Sequence, residues 1–464
     1  MRQGALTVLA PIRPEKGELQ ALRRCFEGIR RAVNRYEGAG SALGFERVKT
    51  LHFARFVILE DPPPRAGEDP GGAILLLSTQ HDGPRAAHLE ELIAEGEEAL
   101  AEILSHCSGF DAEEGPSDRR IFHYLMDRAH RAHAFYAGTP RRSLGRILWE
   151  EEVAGWIRKS AADLPSNVDP TEAWRRIREE VRQRLARERP AAEATHGPEC
   201  AESAHWVRFQ KRTSRIWRVV WNLVWILPLG TYYLFPWQTV LVVLGLVVVG
   251  LRLRIEEERE AEALERREAS ASHVGRNEKL MAHERALRKH ENLWSQNQLT
   301  VASTVKDSGL RRALLRVVLA VIYVRARFKF TQGLLHDLPT IHSAYWMTFD
   351  RNRRLLFVSN YDGGWSGYLD EFVLHAPMAL TAIWTHAEGF PATRLMFWGG
   401  GADGPRFKAW ARSDQAPPEV WYSAYPRLST ENINRNSELV EGLGYRGFAD
   451  PGRRDETLEW LSKI

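Results

Sequence analysis

The chain has 464 residues, of which 64 are basic and 60 acidic, so its formal net charge is only +4. A chain of this length is expected to form two or more units, because domains usually run to ~100–200 residues. The small, dispersed charge excess gives no indication of a nucleic-acid partner, and three unrelated cysteines favour a reducing compartment over a disulfide framework or a metal knuckle.

Residues 1–159 are expected to form a first α+β unit. The apolar run at the N-terminus is too short for a signal peptide and is interrupted by Pro11 and Pro14, so we expect this unit to begin in the cytoplasm. Apolar periodicity predicts strands at about 5–11, 50–59, 73–80 and 133–138, and helices at about 17–36, 84–106, 118–130 and 142–158.

Residues 160–205 are expected to be a charged linker, because they combine four prolines with a charged helical stretch. A membrane segment follows within 206–254. From Val219 to Leu251 there are 33 residues without Asp, Glu, Lys, Arg or His. As one straight helix this run would reach ~50 Å, well beyond the ~30 Å hydrocarbon layer.

Pro228, Gly230 and Pro236 supply a break, so the segment predicts a transmembrane helical hairpin with helices at about 216–234 and 237–251. Basic residues flank the run on both sides, which favours an inner-membrane location with both soluble halves in the cytoplasm. A buried hairpin of a soluble protein is the alternative. Residues 255–296 are then expected to be a charged helical stalk emerging from the bilayer.

An internal repeat links the two ends of the chain. Residues 75–110 align with 355–390 without a gap at an offset of 280, with identities that include Asp82/Asp362 and Gly83/Gly363. Further matches in the same order join 6–8 to 299–301, 50–59 to 340–349 and 135–143 to 421–429. A self-match of this extent indicates duplication of a whole domain, with the second copy at 297–464.

The second copy is expected to repeat the elements of the first. Its strands are predicted at about 298–304, 339–349, 354–360 and 419–424, and its helices at about 309–328, 365–386, 404–413 and 429–441. Each copy thus reads as a ferredoxin-like βαββαβ repeat, an α+β fold with helices on one face of an antiparallel sheet. We expect the two sheets to pair as an intramolecular dimeric α+β barrel. The basic helix at 310–330 is expected either to lie on headgroups or to pack on its own sheet.

Candidate catalytic residues lie where the second and third strands of each copy meet. Antiparallel pairing brings His52 close to Asp82, and His342 close to Asp362. Such a pair could transfer a proton or bind an anion, or the aspartates could instead cap the helices that follow them.

Further candidates follow the last strand of each copy. Tyr136 with Arg141, and Tyr422 with Arg427, are predicted to bind an anionic or planar ligand, or else to clamp the halves together. His106 and His386 are read as helix C-caps. The glycine-rich stretch 398–405 lacks a phosphate-loop lysine, and no metal motif is present in the sequence, so we predict no nucleotide or metal site.

The segments TLHFARF and TQHDGP in the first copy, and TIHSAYW and SNYDGGW in the second, resemble a bacterial membrane family with duplicated ferredoxin-like domains. At the level of fold this architecture is similar to the dye-decolourising peroxidases, which resemble it in having two such domains. Their GxxDG motif is not matched here, because Asp362 and Gly363 follow Ser359, Asn360 and Tyr361.

Two functions are consistent with these observations. The first is a membrane-anchored, non-catalytic protein that binds or senses a small molecule in a cleft between the halves, with the lipid bilayer as a partner. The second is a haem-dependent, peroxidase-like oxidoreductase, implied by the resemblance in fold, with His52 or His342 as ligand or base. The sequence leaves open whether the chain is an enzyme and which cofactor, if any, it holds.

Overall fold

The computed structural model describes residues 3–33, 42–60, 72–110, 117–140, 142–165, 167–188, 236–270, 273–328, 338–444 and 454–464. The described chain has a mixed α+β fold with a five-stranded sheet, a four-stranded sheet and a two-stranded ribbon, all antiparallel. The first helix of the expected membrane hairpin, at 216–234, and Arg141 lie outside these residues.

The described residues of the N-terminal unit form ten α-helices and β-strands. They are β1 Gln3–Pro11, α1 Glu18–Val33, β2 Leu51–Leu59, β3 Ile74–Asp82, α2 Arg85–Ser105, α3 Ser117–Asp127, β4 Ala129–His130, β5 Ala134–Ala137, α4 Leu144–Ala162 and α5 Pro170–Glu188.

The C-terminal part begins with two long helices, α6 Pro236–Ser270 and α7 His273–Arg288. The C-terminal unit then comprises β6 Gln296–Thr304, α8 Gly309–Phe328, β7 Ile341–Phe349, β8 Arg354–Asp362, α9 Trp365–His375, α10 Pro377–Trp384, β9 Thr393–Arg394, β10 Trp398–Gly399, α11 Gly404–Ser413, β11 Pro418–Ser423, α12 Thr430–Gly442 and α13 Arg454–Leu461.

The two units exchange their outer strands. The five-stranded sheet has the order β11-β2-β3-β1-β4, so its edge strand β11 comes from the C-terminal unit. The four-stranded sheet has the order β5-β7-β8-β6, so its edge strand β5 comes from the N-terminal unit. Ala424 N donates to His52 O at 2.9 Å, and Gly138 N donates to His342 O at 2.8 Å. From the sequence we expected the last strand of each repeat to complete the sheet of its own unit. The structure corrects this expectation, because each of these strands joins the sheet of the other unit.

The two sheets pack face to face. A shared apolar cluster joins Leu9, Val57 and Leu76 of one sheet to Met347 and Val358 of the other. The Tyr345 hydroxyl accepts a hydrogen bond from Thr7 Oγ1 at 2.9 Å and lies 2.7 Å from Ser78 Oγ, so hydrogen bonds cross the interface as well. A void between the sheets, lined by Phe53, Arg55 and Tyr345, measures about 10 Å³, room for roughly one water molecule. In the part of the interface that the structure describes around this void, side chains fill the space where the sequence had led us to expect a ligand cleft.

Arg55 on β2 is the main polar contact between the sheets. Its guanidinium is fully buried and donates to Gln298 Oε1 at 2.8 Å, to two carbonyls and to the side chains of Thr300 and Asn360. All of these acceptors are neutral. Burial lowers the pKa of Arg55 to about 10, so the guanidinium stays charged at neutral pH and holds the opposite sheet by charge-assisted hydrogen bonds.

Helices cover the outer face of each sheet. α1, α2 and α3 enclose one core against the five-stranded sheet, and α8 to α11 enclose another against the four-stranded sheet. The expected helix 365–386 is two helices, because Pro377 cannot continue the hydrogen-bond ladder and Ala376 has φ −139°. α2 is kinked at the corresponding place, where Gly96 approaches the carbonyl of Leu43 too closely for a side chain.

A separate helical layer joins the two units. α4, α5, α12 and α13 share an apolar core that includes Trp149, Trp174 and Trp460. The structure corrects the expectation of a spacer for 170–188, because α5 buries Trp174, Ile177, Val181 and Leu185 in this layer. These side chains recur every three or four residues and so form one buried face of the helix.

One described helix is long and apolar enough to cross a membrane, and it lies within α6 at Trp237–Arg266. Its apolar part is exposed, as at Leu241 and Val242, with 68% and 62% of the side chain accessible. Beyond Leu251 one face of α6 is buried against the C-terminal unit at Leu253 and Glu257. This part of the expected stalk is therefore docked on the C-terminal unit.

We predict that a disulfide links the exchanged strand β5 to the C-terminal unit. Ala137 lies opposite Ser343 in the register, and opposed strand residues are close enough for a disulfide. In a chain whose native cysteines are replaced, Ala137→Cys with Ser343→Cys should keep the two units together on a non-reducing gel after cleavage at a protease site inserted at 189–205, within the charged linker.

The matched control is Ala137→Cys with Phe53→Cys, because Phe53 is the residue of β2 that corresponds to Ser343 of β7 and would lie opposite Ala137 if β5 paired with β2 of its own unit. We expect no disulfide in that variant. A bond in the control and none in the first variant would contradict the strand exchange.

Candidate functional site

The first candidate pair lies at the end of the five-stranded sheet. β2 and β3 are paired, which brings the start of β2 beside the end of β3. His52 Nε2 is 3.1 Å from Asp82 Oδ2, and the exposed fractions of the two side chains are 0% and 3%. The ring nitrogen is close to the carboxylate but not aligned with it for a hydrogen bond, so we regard this contact as electrostatic.

The second pair occupies the same position in the other sheet and is better aligned. His342 Nε2 makes a hydrogen bond of 2.7 Å to Asp362 Oδ1. Here the exposed fractions are 1% for His342 and 12% for Asp362. The two His–Asp pairs are therefore alike in place but different in geometry.

Tyr425 brings the two pairs into one cluster. Its hydroxyl is 3.0 Å from His52 Nδ1, and its ring centroid is 5.8 Å from that of His52 and 5.9 Å from that of His342. Burial raises the pKa of Tyr425 well above its ordinary value, and the negative charges of Asp82 and Asp362 raise it further. We name these five residues, His52, Asp82, His342, Asp362 and Tyr425, the His–Asp–Tyr cluster.

The aspartates hold helix N-termini, but not those of the helices that follow them. Asp82 Oδ2 accepts from Leu144 N of α4 at 2.7 Å, and Asp362 Oδ2 accepts from Thr430 N of α12 at 2.8 Å. The first backbone N–H groups of a helix lack partners within it and carry partial positive charge, so a carboxylate is favourable there. The capping role expected from the sequence is present at a distant helix instead of the adjacent one.

One glutamine strengthens each of these two junctions. Gln3 Nε2 donates to Thr139 O at 3.3 Å and to Arg142 O at 2.7 Å, in the loop before α4. Gln296 Nε2 donates to Tyr425 O at 3.0 Å and to Leu428 O at 2.5 Å, in the loop before α12. Sequence reasoning missed both, although Gln3 and Gln296 stand at the same offset as the matched residues 6–8 and 299–301.

The cluster is closed to ligands in the described structure. Its side chains are at most 12% exposed, and the void next to Phe53 is about 10 Å³. A haem needs a pocket of about 300–1,000 Å³, far larger than this void. His52 and His342 each direct Nε2 at an aspartate. These residues do not fit a haem.

The other candidates are placed apart from one another. Tyr136 is buried in the core of the C-terminal unit, while Tyr422 packs against the core of the N-terminal unit. Each tyrosine thus lies, with its exchanged strand, in the unit opposite to its own, which agrees with the clamp that was the alternative to ligand binding. Arg427 is exposed at the turn after β11.

The two histidines at the ends of α2 and α10 differ in their surroundings. His106 Nδ1 is 2.6 Å from Glu18 Oε2, and the backbone of His106 forms the C-cap of α2. His386 is fully buried beside Arg311 and Lys306, and burial lowers its pKa to about 3.

A stacked histidine pair in the N-terminal unit was not identified from the sequence. The rings of His81 and His88 stack at 4.3 Å, and His88 bridges Thr50 and Thr79 at 2.8 and 2.9 Å. Burial lowers the pKa of His81 to about 4 and that of His88 to about 2. Both rings are therefore neutral at neutral pH.

Two concave spaces among the described residues lie away from the His–Asp–Tyr cluster. One, of about 540 Å³, is bounded by α6 and by the loops before α8 and after α10. Another, of about 750 Å³, is an open groove between α7, α9 and α11. Among the described residues there is no group of three or more His, Cys, Asp or Glu side chains that could hold a metal ion.

Comparisons with known proteins give no information on the function of this site. No protein-family model, no curated protein and no solved structure matches this chain.

We predict that Asp362→Ala lowers the melting temperature in detergent by about 10 °C. The change leaves His342 and the Thr430 N–H without their carboxylate acceptor, at a cost of about 3–5 kcal/mol. Asp370→Ala, on α9 where the side chain is 60% exposed, is the control and should shift the midpoint by less than about 2 °C. Equal shifts in melting temperature for the two variants would contradict a stabilising role for the Asp362 carboxylate.

We predict that the stacked histidines make the protein sensitive to acid. Their folded-state pKa values lie below the ordinary 6.5, so below about pH 6.5 the unfolded chain takes up protons that the folded chain excludes. The stability that the neutral pair contributes is present above that pH and is lost as the pH falls toward the folded values. At pH 5 the loss should be about 2 kcal/mol for each ring.

The double variant His81→Tyr, His88→Tyr should reduce this loss, because Tyr361 and Tyr368 stack at 3.8 Å in the equivalent place of the C-terminal unit. Thermal melting at pH 7.5 and pH 5.0 measures the effect, and His123→Tyr, at an exposed site, is the control. An unchanged acid sensitivity in the double variant would exclude these rings as its source.

Proposed function

We propose that this chain is a membrane-anchored, non-catalytic protein that binds or senses a small polar molecule beside its membrane helix. The observation that carries the proposal is the buried Glu257, through which α6 is fixed to the C-terminal unit next to a cavity. Its side chain is fully enclosed although it lies only six residues beyond the apolar run that ends at Leu251.

Glu257 binds the loop between β9 and β10. Its carboxylate accepts from the backbone N–H groups of Leu395 and Met396, each at 2.8 Å, and from Thr393 Oγ1 at 3.0 Å. Leu395 and Met396 have φ values of +50° and +56°, which cost free energy in residues with side chains. Successive N–H groups in such a turn form an anion-binding concavity, so the carboxylate compensates for the strain.

Two further carboxylates of α6 meet basic residues at the start of α8. Glu260 is 2.6 Å from Arg311 Nη2 and 2.7 Å from Lys306 Nζ, and Glu256 is 3.7 Å from Arg311 Nε. Arg311 is fully buried. Removing one member of such a network leaves a buried charge unpaired, so the helix and the unit are expected to move together.

The cavity of about 540 Å³ shares its walls with this junction. Its lining includes Lys306 and Glu260 of the ion pairs, together with Arg259, Phe390 and Pro391. A space of this size suits a small molecule, and a lining with both signs of charge suits a polar or zwitterionic one. A ligand bound here would touch both α6 and the C-terminal unit, and could therefore alter the position of one against the other.

We also propose that the two units are duplicated ferredoxin-like repeats paired as an intramolecular α+β barrel. Matched contacts support this proposal. Thr50 Oγ1 donates to Glu91 and Thr340 Oγ1 donates to Glu371, each at 2.6 Å. Gly83 and Gly363 both have a positive φ, of 77° and 80°.

The location proposed for the chain is the inner membrane, with both units in the cytoplasm and α6 as the second helix of a hairpin. The exposed apolar surface of α6 and the arginines at 252 and 254 support a bilayer contact that ends near Leu251. Two cytoplasmic units that exchange strands require the chain to enter and leave the bilayer on the same side.

We expect a compound of low mass to be retained by the chain when it is released from membranes into mild detergent and examined by native mass spectrometry. Ala261→Phe places a ring in the cavity wall and should reduce the retained compound at least tenfold. Ala282→Phe makes the same change at an exposed position of α7 and should leave it unaltered.

Retention of the same compound by Ala261→Phe would place its site elsewhere. Absence of any retained compound from the unaltered chain would contradict the proposed binding function.

A further inference from the structure

The apolar surface of α6 continues onto the C-terminal unit. Phe397 and Trp398, at the tip of the β9–β10 ribbon, are 40% and 54% exposed, and Val317 and Val321 on the outer face of α8 are 60% and 42% exposed. Adjacent exposed apolar groups of this size are unusual on a surface that faces only water.

The position of this surface is fixed by the docking of α6. Met396 of the ribbon is buried in one cluster with Leu253 of α6, and Val318 of α8 packs against the same cluster. Glu257, which binds the ribbon, is six residues beyond Leu251, a rise of about 9 Å along the helix. The ribbon tip and the middle of α8 are therefore held close to the point where the apolar run of α6 ends.

The residues around this point have the chemistry of a bilayer interface. Aromatic rings are favoured at the level of the headgroups, and arginines next to them pair with lipid phosphates. Arg394 lies opposite Trp398 in the ribbon, and Arg254 contacts the Glu257 carboxylate that binds the ribbon. Arg252 follows the apolar run directly, and Arg316 lies one residue before Val317. Because this exposed surface continues from the apolar part of α6, we take lipid, and not a second protein, as the partner that covers it.

We propose that Phe397, Trp398 and the outer face of α8 insert into the headgroup region of the bilayer that α6 crosses. This inference rests on the proposed membrane anchoring of α6. The C-terminal unit then lies on the membrane surface, and the cavity beside α6 opens next to the headgroups. The basic helix at 310–330, for which the sequence left headgroup contact and packing as alternatives, does both: Leu315 and Leu319 pack inward while Val317 and Val321 face lipid.

The test uses the full chain in nanodiscs of phosphatidylcholine and phosphatidylglycerol, with one chain in each disc. An environment-sensitive fluorophore is attached to a single cysteine, in a chain whose native cysteines are replaced, and lipids with a nitroxide on the acyl chain serve as quenchers. The labelled variants are Trp398→Cys and Val317→Cys, with Val242→Cys as a probe of the α6 anchor. Leu458→Cys is the control, because Leu458 is an apolar residue of α13 with 46% exposure.

We expect strong quenching at position 242, at least twofold quenching at 398 and 317, and none at 458. Quenching at 242 without quenching at 398 and 317 would overturn the docking of the C-terminal unit while the anchor stands. Absence of quenching at 242 would overturn the anchoring and the docking together. A probe at 398 that is shielded from water but not quenched by lipid would show a protein contact in place of the bilayer, and would also overturn the proposal.

Discussion

The structure depends on one arrangement that occurs twice. In each unit the last strand pairs with the sheet of the other unit, while the helix that follows this strand is bound by an aspartate of the unit to which strand and helix belong. β5 extends the sheet of the C-terminal unit, yet the first backbone N–H of α4 is bound by Asp82 of the N-terminal unit. β11 and Asp362 repeat the arrangement for α12. Neither unit can leave the other without breaking a strand pairing and exposing an edge of unpaired backbone groups. The two units therefore form one body.

This arrangement explains why the His–Asp–Tyr cluster is buried. The histidines stand at the strand ends where the exchanged strands and helices meet, and the cluster is completed by Tyr425 from the loop after β11. A buried His–Asp pair has the groups of an acid–base catalyst, but without access to substrate its effect is on the position of the helices. Among the described residues, a cavity of about 540 Å³ lies instead where α6 meets the C-terminal unit, and carboxylates of α6 form part of its wall.

Some of the tertiary contacts had a signal in the sequence that could have been used. The spacing of Trp174, Ile177, Val181 and Leu185 marks one apolar face on a helix that is otherwise charged, and that face is buried. Gln3 and Gln296 share the offset of neighbouring matched residues. The sequence contained no indication of the role of Arg55, because its counterpart in the repeat is Tyr345. The two residues act in different ways. Arg55 donates hydrogen bonds to five acceptors, while the Tyr345 hydroxyl contacts Thr7 and Ser78.

The sequence by itself determined the long strands of both sheets, most of the helices, the apolar character of the segment that includes α6, and the nearness of each His to its Asp. These follow from residue periodicity and from the pairing of strands that are neighbours along the chain, both of which are local. The exchange of β5 and β11, the closure of the cleft and the docking of Glu257 were decided only by the tertiary structure. An edge strand can pair equally well with either of two similar sheets as far as its own residues are concerned, and the choice is made by how the helices and turns around it pack.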